Sequence, residues 1–424
     1  MRESSRRNFL RRSLGLTSSA LLPAALWPKS VLSALGGKRK KLPVAGLTTV
    51  YRRNSHSHVI LGKIVEGYNQ LGGPGPDLEL VSMFVDQFHS QDTGRALTKK
   101  HGILLARSIP EAITLGSDEV KVAAVLSIAE HGDYAARPVT RQQMFPRKRF
   151  FDETLATFRR CGKVVPFFND KHLSYSTEET MDMYRMAKEY KIPFMAGSSL
   201  PLAWRDPPLE LPMGCEIEGA VALGFGGMEP YGYHTLEMLQ CMIERRKGGE
   251  TGVKSVRAVK GAGVLQAEKD GYWSLDLVAA ARKQKPDPGL REQFLSPQFK
   301  DRGAFLIDYR DGLKAAVLMT HTGKWQVAAK LKGEASPRGT EFTLQEGAPY
   351  RHFEYLVRGF EPMVHTGKPA YPVERTVLTS VVLDAALNSL ANGSVSIETP
   401  ELDFAYQPVD WPFAKGLPPK PRKW

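Results

Sequence analysis

Over residues 42–200 the chain alternates apolar, β-rich runs with segments of helical period, and no other feature limits its possible folds as much. The runs are Leu42–Val50, Leu78–Val85, Val120–Ile128, Val164–Phe168 and Ile192–Ala196. Spacing between them predicts helices over Val59–Asn69, Thr93–Lys100, Lys148–Arg160 and Thr177–Tyr190. Ser176, with Glu179 three residues on, reads as a capping box for the last helix. Strands with no polar alternation are buried on both faces, and helices between them act as crossovers. The expectation is an α/β fold whose N-terminal part is a doubly wound parallel sheet of nucleotide-binding type.

The pattern changes after Pro201. Glu216–Leu223, Val253–Gln266, Ala304–Ile307, Leu313–Thr320, Trp325–Leu331 and Thr340–Leu344 read as strands, with Asp-Tyr-Arg-Asp-Gly at 308–312 as a turn between two of them. Helices are expected at Thr235–Arg246, Tyr272–Lys283, Phe353–Gly359 and Val373–Asn392. This is an α+β domain with a large, mainly antiparallel sheet. The organisation is therefore a Rossmann-type domain at 42–200, an α+β domain for substrate and oligomerisation at 201–400, and a C-terminal tail at 401–424.

The N-terminus resembles an address. Residues 1–41 hold ten Lys/Arg and one Glu, which is most of the formal charge of +13. The rest of the chain is nearly balanced, so a nucleic-acid partner is not expected. Arg6-Arg7, followed by Phe9-Leu10 and the short apolar run Ser13–Trp27, resembles a twin-arginine signal over 1–37. The run is too short for a stable membrane span and is broken by Pro23. A periplasmic protein exported folded by the twin-arginine machinery is expected, with Cys161, Cys215 and Cys241 too scattered for a disulfide frame.

Polar residues gather just after the strands. His56 and His58 follow the first run, Asp86 and His89 the second, Glu130, His131 and Asp133 the third, and Asp170 and His172 the fourth. In a parallel sheet these positions open onto one edge, where ligands bind. They can serve cofactor and substrate. Alternatively, His56, His58, Glu130, His131 and Asp170 can hold a divalent metal beside Lys171, as a sugar lyase or hydrolase would need.

The order of motifs is similar to that of the Gfo/Idh/MocA oxidoreductases. It is carried by Leu-Glu-Leu-Val-Ser-Met-Phe-Val-Asp (78–86), Val-Lys-Val-Ala-Ala-Val-Leu-Ser-Ile-Ala (120–129) and Val-Pro-Phe-Phe-Asn-Asp-Lys-His-Leu (165–173). Ile-Pro-Phe-Met-Ala-Gly-Ser-Ser (192–199), Tyr-Gly-Tyr-His-Thr-Leu-Glu-Met-Leu (231–239) and Tyr-Pro-Val-Glu-Arg-Thr (371–376) continue it. The resemblance implies an NAD- or NADP-dependent enzyme acting on a hydroxyl of a sugar or cyclitol. Lys171 and His234 match the family's catalytic pair, the lysine orienting the hydroxyl and the histidine exchanging its proton. Gly46, Asp86, Glu130 and His131 are the cofactor candidates, and His172 and Tyr233 the substrate candidates. A homo-oligomer built on the flat second sheet is also implied.

Three departures stand out. The turn after the first strand has Gly46 alone where the family has Gly-x-Gly-x-x-Gly/Ala, and Arg52 and Arg53 are the groups left for phosphates. Pro230 stands four residues before His234 in place of an aspartate, with Glu229 beside it, and His172 replaces a proline. A non-catalytic sugar-binding protein that lost the cofactor turn is the remaining alternative.

Overall fold

The apolar runs form Leu42–Thr48 (β1), Leu78–Val85 (β2), Leu104–Ala106 (β3), Ala124–Ile128 (β4), Phe167–Asp170 (β5) and Phe194–Gly197 (β6). All are parallel, in the order β3-β2-β1-β4-β5-β6 of a doubly wound dinucleotide-type sheet. The computed structural model describes residues 40–411 and 413–422. The expected signal segment, 1–37, lies outside them. Every residue of β4, β5 and β6 is buried, which is why these strands show no polar alternation. The crossovers are His56–Glu66 (α1), Gly94–His101 (α2), Ile109–Thr114 (α3), Arg147–Cys161 (α4) and Thr177–Glu189 (α5).

The second half supplies Trp204–Asp206 (β7), Ile217–Phe225 (β8), Pro230–Ile243 (α6), Val253–Val259 (β9), Ala262–Lys269 (α7), Leu275–Arg282 (α8) and Gly289–Leu295 (α9). Ala304–Tyr309 (β10), Lys314–Thr320 (β11), Trp325–Leu331 (β12), Arg338–Thr343 (β13), His352–Thr366 (α10), Glu374–Ala391 (α11) and Ile397–Glu398 (β14) complete it. The eight strands run β14-β9-β10-β11-β8-β12-β13-β7, antiparallel except for the β11–β8 pair. The expected turn joins β10 to β11, with Gly312 at φ 90°.

Two expected elements differ. Val253–Gln266 is not one strand: the chain turns at Gly261, φ 53°, and continues as α7. The helix begun at Phe353 does not stop at Gly359 but runs through Pro362 to Thr366, because Leu356, Phe360 and Met363 continue one buried stripe.

That stripe positions the site. Helices α3, α4 and α5 cover one face of the first sheet. On the other face α1 covers the β1 side, and α10 returns from far along the chain to cover the rest, Phe360 packing on Phe168 of β5 at 4.7 Å. The second sheet carries helices on both faces. Helices α6 and α11 pack on one side, and α7, α8 and α9 on the other, against Val221, Leu223, Ala316 and Leu318. Residues after 400 are tied down as well: Tyr406 pairs with Glu250, Ala414 N–H donates to Leu202 O and Arg422 N–H to Ala348 O. Among the described residues no helix is long and apolar enough to cross a membrane, and the three cysteines are unpaired thiols.

Candidate functional site

Strands β1, β4, β5 and β6 end at one edge, and the residues just past them form a polar cluster around Glu130. Its carboxylate accepts from Lys171 Nζ at 2.8 Å and from Arg147 Nη2 at 2.7 Å. Arg147, at the start of α4, is fully buried and also donates through Nη1 to His172 Nε2 at 3.0 Å. Burial favours the neutral acid, but Lys171 and Arg147 outweigh it and hold the Glu130 carboxyl well below its usual range. Both Lys171 (φ 67°) and His131 (φ 72°) adopt the left-handed backbone region that non-glycine residues avoid, a local cost often found at functional sites.

His56, on the first turn of α1, reaches across the edge and pairs through Nδ1 with Asp170 Oδ2 at 2.6 Å. Its ring meets His131 edge-on at 5.7 Å and Phe353 of α10 at 4.9 Å. Burial, with His56 and Lys171, pushes the His131 imidazole down to about 4 against the pull of Glu130. From the second half, α6 brings in Tyr233 and His234. His234 Nδ1 lies 2.7 Å from Ser198 Oγ, which also accepts from Leu200 N–H. Burial and the nearby Lys171 and His56 charges keep His234 well below its usual pKa, so the ring is neutral near pH 7.

Lys171, Glu130, His131, His172, Asp170, His56 and His234 are thus brought together. Tyr233 is fully buried with its ring 5.0 Å from His172, itself 2 % exposed, so both sit in the wall of the cluster. Asp86 stands at the end of β2, where its Oδ2 accepts from Tyr134 Oη at 2.6 Å and Arg149 at 2.6 Å. Gly46 lies inside β1, where a Cβ would come within 2.7 Å of Leu61, so the missing side chain serves strand–helix packing rather than the turn. His58 goes elsewhere: its Nδ1 accepts from Asn54 N–H at 3.3 Å and its ring faces Tyr51.

That position takes His58 out of the set named for a metal. Residues i and i+2 of a helix do not share a face, so His56 and His58 diverge as soon as α1 begins. Among the described residues no three His, Cys, Asp or Glu side chains are grouped as a metal set.

Arg147, Ser198 and Glu229 belong to the cluster and were not singled out as site residues from sequence. Arg147 and Ser198 carry no local signal. Glu229, just before the first residue of α6, has one oxygen 3.9 Å from His172 Nε2, and burial pushes its carboxyl up to about 7. Its place beside the aspartate position vacated by Pro230 was the available clue.

No family model and no curated relative matches the sequence. Solved structures do match. GenD2 from gentamicin A biosynthesis, solved in complex with NAD, superposes at a TM-score of 0.54 with 14% identity, covering 90% of this chain and 99% of that one. Myo-inositol dehydrogenase from Lactobacillus casei, solved with NAD(H) and myo-inositol, gives 0.52 with 11% identity over 85% and 97%. That from Corynebacterium glutamicum ATCC 13032 gives 0.50 with 12% identity over 84% and 98%. The fold is that of the Gfo/Idh/MocA oxidoreductases. At these identities the likeness establishes architecture. In this Gfo/Idh/MocA fold the Glu130 cluster lies where the parallel sheet's edge faces α6.

The same edge offers groups to a dinucleotide. The strand order reverses between β1 and β4, which opens a crevice at their C-terminal ends. Asp86 is at the end of β2, suited to ribose hydroxyls, and the buried His131 Nε2 has no partner among the described residues. The β1–α1 turn is held by its own hydroxyls, with Ser57 Oγ donating to Val50 O and Ser55 Oγ to Arg52 O. Phosphates would meet the side chains of Arg52 and Arg53 there, since the turn offers no glycine backbone. The residues fit the ribose and nicotinamide ends, and the phosphate turn is of a different kind.

Proposed function

We propose that the protein is an NAD(P)-dependent oxidoreductase acting on a hydroxyl of a sugar or cyclitol. The observation that carries this reading is the junction of the Lys171–Glu130–Arg147 cluster with His234 at the C-terminal edge of a sheet with dinucleotide-type strand order. A bound nicotinamide would supply the hydride acceptor. The chain's own groups do the remainder. Glu130 fixes Lys171 Nζ so that it can donate to the substrate oxygen, which favours alkoxide character as the hydroxyl proton leaves. His234 is neutral near pH 7, and in the tautomer that gives Nδ1–H to Ser198 Oγ it keeps Nε2 to take that proton. Structural neighbours solved with NAD, and one with myo-inositol, support the cofactor and substrate classes.

Calorimetric titration of the full chain with NAD+ and NADP+ tests this reading. Saturable binding of one of them, weakened at least tenfold by Asp86→Ala, is expected. The glycine-free turn favours a second reading, a sugar-binding protein without cofactor, and binding of neither nucleotide would decide for it. Export to the periplasm through Arg6-Arg7 is part of the same proposal. Fractionation should find the chain outside the cytoplasm, and Arg6→Lys with Arg7→Lys should retain it inside.

A further inference from the structure

Beside His234 lies an aromatic group that the proposed chemistry does not use. Tyr231 stands three residues earlier on α6, so the two side chains share a helix face. Tyr231 is 40 % exposed, and its ring is parallel to Trp325 within 6° at 5.7 Å and leans on Phe225 at 5.2 Å. Trp325 in turn meets His234 edge-on at 5.9 Å. The backbone is shaped for this arrangement: a Cβ on Gly226, φ 79°, would fall 2.6 Å from the Tyr231 ring, so only glycine lets the ring lie against the chain there. The Trp325 Nε1–H is buried and has no acceptor among the described residues.

We propose that Tyr231, backed by the buried Trp325, forms a platform for the C–H face of a ring-shaped polyol, setting one ring hydroxyl toward His234 and selecting cyclic over open-chain polyols. The inference rests on the oxidoreductase reading for the role of His234, but the platform itself is a binding claim. A cyclic polyol presents a flat patch of C–H groups that packs on an aromatic ring while its hydroxyls point outward. An open-chain polyol must first give up torsional freedom to present such a patch. Tyr231 is exposed, so replacing it leaves the core intact, whereas Trp325 is part of that core.

The test is saturation-transfer NMR and calorimetry on the full chain, with myo-inositol and glucose as ring probes and sorbitol as the open-chain probe. Aromatic irradiation should transfer to ring C–H protons. Tyr231→Ala should weaken ring-polyol binding about tenfold, Tyr231→Phe should keep it within about twofold, and sorbitol should bind more weakly than either ring. Unchanged affinity in Tyr231→Ala, sorbitol binding equal to the rings, or no polyol binding at all would overturn the platform. Ring binding that depends on Tyr231 in a chain that takes up neither NAD+ nor NADP+ would uphold the platform and refute the oxidoreductase reading.

Discussion

Glu130 holds two cations, Lys171 and Arg147, in a nearly closed environment, and either would be uncompensated without it. Breaking a buried ion pair by removing one partner costs about 3–5 kcal/mol. Glu130→Gln should therefore lose about 3 kcal/mol in denaturant unfolding, and an unchanged midpoint would argue that Lys171 and Arg147 reach water. Glu229 behaves in the opposite sense to an ion-paired carboxylate. With its pKa raised from 4.5 to about 7, the folded state keeps a proton that the unfolded chain has released. Its contribution to stability is complete below about pH 4.5 and is lost as pH rises toward 7, a change of about 3 kcal/mol at most. The half-buried neutral His131 acts the other way, losing stability as pH falls from 6.5 toward 4. The clean readout is therefore the difference between wild type and Glu229→Gln. Measured by thermal unfolding across pH 4–8, wild type should lose stability relative to the variant on going from pH 5 to pH 7. At this scale the sequence was half legible. Strand-end positions announced Glu130, Asp170 and Lys171, because a parallel sheet gathers such residues. The His56-x-His58 spacing misled, since a helix starts between strand end and site and sends the pair apart. Arg147 arrives from 17 residues away with no pattern to mark it.

The first sheet is completed by a helix from the opposite end of the chain. Phe360 is fully buried in α10 against Phe168, and Gly359 leaves room for Met195 and Leu202. Truncating a buried phenylalanine costs about 3–5 kcal/mol. Phe360→Ala should lower stability by that amount and, because α10 also carries Phe353 onto His56, should speed amide exchange in β5 as well as in α10. Faster exchange confined to α10 would show that the helix is not part of the first sheet's core. Apolar period predicted most strands and helices, but not this helix's length. The helix was expected to end at Gly359, and burial of Met363 and Val364 beyond Pro362 outweighs the backbone bond that the proline removes. Gly261 shows the reverse: a β-rich run continued on paper where a positive φ turns the chain into α7. The capping box at Ser176 is half made, since Ser176 Oγ accepts from Glu179 N–H while the Glu179 carboxylate goes to Ser174 and Tyr175.

For Lys40–Trp424 as a whole, the sequence conveyed the two-sheet architecture through order and spacing, although identity to solved relatives is only 10–14%. What it did not convey was the covering of the second sheet. Helices α7, α8 and α9 pack on one of its faces, and α7 and α9 lie in segments with no helical signal strong enough to read. The charge of the chain is consistent with a small-molecule enzyme, since most of the formal +13 lies before Leu42. The central claim is that this edge of the first sheet oxidises a cyclic polyol hydroxyl with a nicotinamide cofactor, through Lys171 and His234. It is tested most directly by following cofactor reduction when the full chain is given NAD+ or NADP+ and a panel of cyclic polyols, in wild type, Lys171→Met and His234→Ala. The account predicts polyol-dependent reduction in wild type, a loss of at least a hundredfold in both variants, and nucleotide affinity kept in His234→Ala. Polyol-dependent reduction that survives both substitutions would contradict it.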